Sequence, residues 1–297
     1  MEAKKLFGND AQMIGVYGSI GAGKTHLAAT ISEHWNDGKP AALDDLFVFE
    51  TDLGGLKGLT SKGITAPNIN LFDMIRRKEA WAAAGFSSEP GPLEITNYTI
   101  AQIRERVKKG QTKIVIIDTL SNLDRVVMYH LQVHGVRDMS GGRVNFNNKA
   151  LFGKLGQIHT MLFVELARLN VPCVLCMHQK ALEADTDEGA FKSATTGVQT
   201  ATLQTTSGPS NAQIGKVYDF NLVPALAGNV SSQIWKSNML MEMYVEDLGT
   251  QGHIVYTKHA GAETKNRLDT LAPKSFKNET LRSICNKLSE ACEHGSV

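Results

Sequence analysis

Residues 18–25 read Gly18-Ser19-Ile20-Gly21-Ala22-Gly23-Lys24-Thr25, which fits G-x-x-x-x-G-K-[ST], the phosphate-cradling P-loop. An apolar strand pattern, Met13-Ile14-Gly15-Val16-Tyr17, precedes it. Helical spacing of Leu27, Ala28 and Ile31 follows and predicts a helix over 25–35. Strand, loop and helix in that order are what the motif needs. The glycines let several backbone N–H groups of 18–25 point at phosphate oxygens, and the helix N-terminus adds partial positive charge there. Lys24 is then placed to reach the β- and γ-phosphates, and the Thr25 hydroxyl to hold Mg²⁺.

Composition sets the frame around that loop. The 297 residues suit one large domain or two small ones, with 42% hydrophobic and 21% charged residues. Net charge is +1, so the whole chain is not a polycation, although a local basic surface remains compatible with it. No apolar run reaches membrane-spanning length, and the start of the chain lacks a signal-peptide core. Four cysteines in a chain this long do not make a disulfide framework. Cys173 and Cys176 lie on a predicted buried strand, where i and i+3 face opposite sides. They read as structural thiols of a reducing cytoplasm.

Two further strand ends carry acids. Leu46–Phe49 runs into Glu50-Thr51-Asp52 and then Gly54-Gly55, and Lys113–Ile117 runs into Asp118 in the form of a Walker B strand. In an open α/β sheet, ligands sit at the carboxyl ends of strands. Asp118 is therefore placed to support the Mg²⁺ shell. Glu50 or Asp52 is placed to orient and deprotonate a water. A third apolar run, 171–177, ends in His178-Gln179-Lys180, where a polar side chain can sense the γ-phosphate. His130 and His134 have i, i+4 spacing but lack the glutamate of a zinc-protease helix, and are read as a helix face.

Helices are predicted over 71–84, 98–109, 120–136, 149–170 and 276–294. A hairpin is predicted between 240–245 and 253–256. Residues 1–11 read as a polar lead-in, and 137–149 and 181–216 as loops. The second of these is long enough to be functional.

With these motifs in order, the chain resembles the RecA-like ATPases over Gln12 to Leu271. It is most similar to the phage-type nucleotide-binding proteins of single-strand annealing and recombination. The resemblance rests on the P-loop, the acidic strand end at 50–52, Asp118, His178-Gln179 before a long loop, and Lys265-Asn266-Arg267 after the late hairpin. It implies an α/β RecA-like P-loop core at 1–271, with a central mostly parallel sheet flanked by helices, a late β-hairpin and a C-terminal helical tail at 272–297. It implies an ATPase that uses ATP and Mg²⁺ and acts with DNA in recombination, annealing or repair. The family's catalytic Glu stands where this chain has Asp52, two after an Asp where this chain has Glu50, so the base remains one of these two.

The resemblance further implies that Gln179 is the sensor, with His178 beside the nucleotide. Residues 181–213 and 137–149 match the family's DNA-binding loops. Lys265 and Arg267 reach the nucleotide of a neighbouring subunit. Self-association into a ring or filament, single-stranded DNA as a partner and a cytoplasmic, prokaryotic or phage-infected setting follow from it. No membrane partner is expected. The alternatives are a RecA-like ATPase acting on a protein, such as a helicase loader, and a nucleotide-binding switch with little turnover.

Overall fold

The computed structural model describes residues 12–134, 136–137, 143–144, 148–184, 191–194, 221–226, 229–259, 262, 264–266 and 275–294. Its centre is an 11-stranded sheet. The strands that form its main path are β1 (Met13–Gly18), β2 (Leu46–Glu50), β3 (Asn68–Asn70), β4 (Ile114–Asp118), β5 (Cys173–Ala184), β6 (Met241–Asp247), β7 (His253–Tyr256) and β8 (Ser275–Lys277). They lie side by side in the order β8-β7-β6-β1-β5-β4-β2-β3. From β6 through β3 every pairing is parallel; β7 and β8 join antiparallel at one edge. This is the expected α/β class, with the late hairpin built into the sheet through β6.

The parallel strands are buried on both faces, which is why they read as continuous apolar runs. One face is covered by α1 (Lys24–Ala29) and α6 (Leu281–His294), with Leu27, Leu281, Ile284 and Leu288 packed on Ile14, Val16, Val174 and Cys176. The opposite face carries α2 (Pro92–Lys108), α3 (Leu120–His134), α4 (Asn148–Arg168) and α5 (Asn229–Asn238) over Tyr17, Ile117, Cys173 and Leu175. Cys173 and Cys176 therefore fall in opposite half-cores, as strand alternation requires.

Several boundaries differ from the sequence reading, each for a local reason. The first helix stops at Ala29, not near 35. The Thr30 hydroxyl donates to Leu27 O (2.6 Å) and accepts from Leu281 N (2.7 Å), while Asp45 takes the N–H of Glu33 (2.9 Å). The Leu27 carbonyl and the Glu33 N–H are thereby bonded outside the ladder that a longer helix would have continued. The 71–84 helix is broken into Leu71–Arg76 and Lys78–Ala83 by Arg77, whose φ is −112° and ψ 108°. α2 begins at Pro92 rather than 98, because proline suits a first helical position and Glu94 Oε2 accepts from Gly91 N (2.7 Å). Phe276 belongs to β8, and the last helix starts only at Leu281.

The strand ending in His178 continues to Ala184. It pairs antiparallel with Phe191–Ala194 and with Asn221–Pro224, so part of the expected 181–216 loop is strand. Within 137–149, Arg143–Val144 pairs with Val136–Arg137. Asn148 and Lys149 open α4, while residues 138–142, 145–147, 185–190 and 195–216, the lead-in 1–11 and Arg267 lie outside the described residues. Among the described residues no helix is long and apolar enough to cross a membrane.

Candidate nucleotide site

The P-loop leaves β1 at Gly18. A Cβ there would meet Val245 O of β6 at 2.4 Å, so glycine is required by close approach. Gly21 and Gly23 have φ of 84° and 80°, in the left-handed region that glycine adopts at no steric cost. A Cβ at either would meet nothing within 4 Å, so the loop borders open space rather than packed protein. Lys24 is folded against the loop: Nζ donates to Ser19 O (2.6 Å) and Gly18 O (3.2 Å). Burial pushes its ammonium below the ordinary lysine value, while Cys176 and then Asp118 and Asp52 pull it back up.

Thr25 Oγ1 donates to Asp118 Oδ2 at 2.7 Å, which joins α1 to the end of β4. Asp118 is buried, and burial raises its carboxyl to about 6; the Thr25 bond and Lys24 oppose this, while Asp52 and Glu50 add to it. Its Oδ1 has no hydrogen-bond partner among the described residues. The Cys176 thiol beneath the loop is pushed well above its ordinary value, by burial first and the Asp118 carboxylate second. A buried carboxylate beside two other acids, with one oxygen unpaired and a threonine hydroxyl on the other, is short of positive charge even with Lys24 nearby. That donor set fits Mg²⁺, which takes one or two protein oxygens and completes its shell with phosphate and water. Gly55 closes over the same carboxylate; a Cβ there would lie 2.4 Å from Asp118 Oδ2.

The acids at the end of β2 have different surroundings. Glu50 is buried and both its oxygens are bonded: Oε1 accepts from Leu56 N (2.9 Å) and Oε2 from Asn70 Nδ2 (2.7 Å). It fastens the 52–56 turn and β3 to the sheet. The Asp52 side chain is 37% exposed; Oδ1 accepts from Leu53 N (2.9 Å), and Oδ2 lies 3.7 Å from His178 Nε2. His178 Nε2 also lies 3.5 Å from Thr119 Oγ1. Burial, assisted by Lys24, lowers the His178 imidazole to about 4, so the ring is neutral at neutral pH. Gln179 follows on β5, and its buried Oε1 lacks a hydrogen-bond partner among the described residues.

The structure thus brings Lys24, Thr25, Asp52, Asp118 and His178 to one end of the sheet, with Glu50 behind them. Lys265 is in a short strand, Lys265–Asn266, paired with Met241–Glu242.

Some of the surrounding framework is not announced by any motif. Thr51 clamps β2 to β4: its N–H donates to Asp118 O (2.7 Å), and its hydroxyl donates to Thr119 O (2.5 Å) and accepts from Thr119 N (2.9 Å). Deeper in, Trp235 Nε1 donates to His159 Nδ1 (2.7 Å), and His159 Nε2 meets Asp124 Oδ1 (2.8 Å). Indole is donor-only, so the imidazole proton sits on Nε2 and points at Asp124. All three are buried and tie α3, α4 and α5 together. A groove of about 750 Å³ between α4 and α5, lined by Phe163, Val164 and Ile234 among others, is separate from the P-loop.

No protein-family model matches this chain, and no curated protein is similar to it in sequence. Among solved structures, it is similar to a prototypical ATPase from the type III secretion system of pathogenic bacteria. That match covers 80% of this chain and 51% of the other, with 8% identity and a TM-score of 0.38. This chain therefore spans about half of that protein's length. A KaiC-like protein from the hyperthermophilic archaeon Pyrococcus horikoshii OT3 matches over 86% of this chain and 82% of its own, with 11% identity and a TM-score of 0.37. Likeness at this level is loose, and the α/β assignment rests on the sheet itself.

Proposed function

We propose that the protein is a Mg²⁺-dependent RecA-like ATPase. The observation that carries this is the Thr25–Asp118 contact at 2.7 Å beneath an open glycine loop, with one Asp118 oxygen left unpaired. Thr25 and Asp118 would hold the metal, which when bound supplies charge neutralisation on the phosphates. The N–H groups of 18–25 cradle the phosphates, and Lys24 turns from the loop carbonyls to them.

Asp52 is the general base. Its carboxylate is open to solvent, whereas Glu50 is held by two hydrogen bonds. A water oxygen bonds to the γ-phosphorus as the bridging P–O bond breaks. The water proton goes to Asp52, and ADP leaves with the electron pair. Gln179 would sense the γ-phosphate, with His178 beside the nucleotide.

Self-association is part of the reading. Ile20, 84% exposed, and Leu53, 62% exposed, rim the mouth of the site, where a second subunit would remove them from water. Lys265 and Arg267 would reach that subunit's nucleotide and neutralise charge on the transferred group. Single-stranded DNA is the proposed activator, held by the 181–213 and 137–149 stretches, in a recombination, annealing or repair role.

The test is steady-state ATP hydrolysis at low salt, where phosphate contacts are strongest, with and without single-stranded DNA and with Lys24→Ala as the blank. Turnover above the blank and stimulated by DNA supports the reading. Turnover indifferent to DNA moves it to a protein partner, which the acids Glu183, Asp185, Asp187 and Glu188 favour. No turnover leaves a nucleotide-binding switch.

A further inference from the structure

His178 is level with Gly18 in the β1–β5 register, and Asp52 lies just beyond β2. β4 stands between β5 and β2 in the sheet. The two residues therefore belong to strands about 10 Å apart, yet His178 Nε2 comes within 3.7 Å of Asp52 Oδ2. The imidazole crosses over Thr119 to do so, at 3.5 Å from its hydroxyl.

The backbone from which it reaches is fixed on both sides. His178 N donates to Ser121 Oγ (3.0 Å), and His178 O accepts from Ala225 N (2.7 Å). Among the described residues Asp52 has no comparable support: Oδ1 is bonded within its own turn, to Leu53 N, and the side chain is 37% exposed. A half-exposed base on a turn has many orientations, and hydrolysis needs one.

We infer that His178 is a positioning residue for Asp52, its Nε2–H fixing Oδ2 so that the carboxylate presents a free lone pair to the attacking water. The inference rests on the ATPase reading with Asp52 as base. A neutral donor suits the task. An ammonium or guanidinium at the same distance would also orient the carboxylate, but it would lower its basicity. The buried ring, held near 4, is uncharged at neutral pH and escapes that conflict. The 3.7 Å separation is longer than a hydrogen bond; catalytic contacts commonly tighten once the nucleotide is in place.

The experiment is a mutant cycle on the full chain. kcat and KM for ATP are measured for wild type, His178→Ala, His178→Gln, Asp52→Asn and the His178→Ala/Asp52→Asn double variant. Affinity for a fluorescent ATP analogue serves as the check on folding. His178→Ala should lower kcat about 10- to 100-fold with KM changed less than about twofold. His178→Gln, whose amide N–H reaches the place of Nε2, should restore most of the loss. In the Asp52→Asn background, His178→Ala should cost nothing further.

An equal fold-loss in both backgrounds, or a loss confined to KM, overturns the inference and makes His178 an independent phosphate contact. Should His178→Ala fail to fold, His178→Asn takes its place, being polar but too short to reach Oδ2. Wild-type turnover no higher than the Lys24→Ala blank overturns the ATPase reading and this inference with it. Turnover with additive variants overturns this inference alone.

Discussion

The two sides of the nucleotide site are built to different tolerances. On the P-loop side, Lys24 and Asp118 are buried and Thr25 is partly so, each is within hydrogen-bond distance of its partners, and Gly55 closes over Asp118. Across the sheet, Asp52 is half-exposed and stands 3.7 Å from the one imidazole that faces it. The side proposed to grip phosphate is already bonded together, and the side proposed to handle the water is left adjustable. On that reading binding and chemistry are separable, and substitutions on the two sides should fail in different ways.

The largest effects come from the chemistry itself. Lys24→Ala removes the cation of the tight side and should reduce hydrolysis at least about 100-fold; activity surviving that change in a steady-state assay breaks the assignment of the loop. Asp52→Asn should lower kcat about 10²- to 10⁴-fold while leaving stability within about 0.5 kcal/mol of wild type in denaturant unfolding, as for a half-exposed side chain outside the core. Glu50→Gln should do the reverse. It places an amide N–H₂ among donors that now point at a carboxylate, so about 1–3 kcal/mol of stability is lost while kcat falls less than in Asp52→Asn. Equal kcat losses in the two variants would erase the distinction between the acids.

A smaller effect tests the closure over Asp118. Gly55 is absent from the residues with positive φ, so the obstacle to a side chain there is steric. Gly55→Ala should cost about 1–3 kcal/mol, read by thermal unfolding, and weaken Mg²⁺-dependent nucleotide binding by displacing Asp118.

The mildest test is a pH profile of stability in metal-free buffer. Asp118 is raised from 3.8 to about 6, so its contribution is full below pH 4 and is lost as pH rises to about 6. His178 is lowered from 6.5 to about 4, so its contribution is full above pH 6.5 and is lost as pH falls to about 4. The two oppose each other in one window. Asp118→Asn should therefore lose stability more steeply than wild type on acidification from pH 6.5 to 4, and His178→Ala less steeply. Parallel profiles in denaturant titrations at several pH values would contradict these protonation states.

The tight side was legible in the sequence because its information is local. The glycines, Lys24 and Thr25 are contiguous, and Asp118 is marked by the apolar run it ends. The loose side was legible only as a choice between Glu50 and Asp52. What favours Asp52, the N–H of Leu56 and the amide of Asn70 held by Glu50, comes from a turn and a neighbouring strand that carry no motif. The approach of His178 to Asp52 follows from strand order, which no single stretch encodes. Asp124 and His159 did leave a signal: both sit at i+4 and i−3 from leucines or valines of their helices' buried stripes, Leu120 and Val127 for one, Leu155 and Leu162 for the other. A polar residue on such a stripe needs a buried partner. Helix ends were the least legible, since Thr30 is stopped by a bond from Leu281, 251 residues away.

β5 runs without interruption for 12 residues, from beneath the P-loop to beyond the ends of β1 and β4, about 40 Å of extended chain. Two antiparallel neighbours brace its outer half. Mechanically it is a cantilever clamped in the sheet at one end. A strand braced on both edges bends little, so a load hung on its free end is felt as torque at the clamp, where His178 and Gln179 sit. Whatever pulls on the strands Phe191–Ala194 or Asn221–Pro224 has a lever arm at His178 and Gln179.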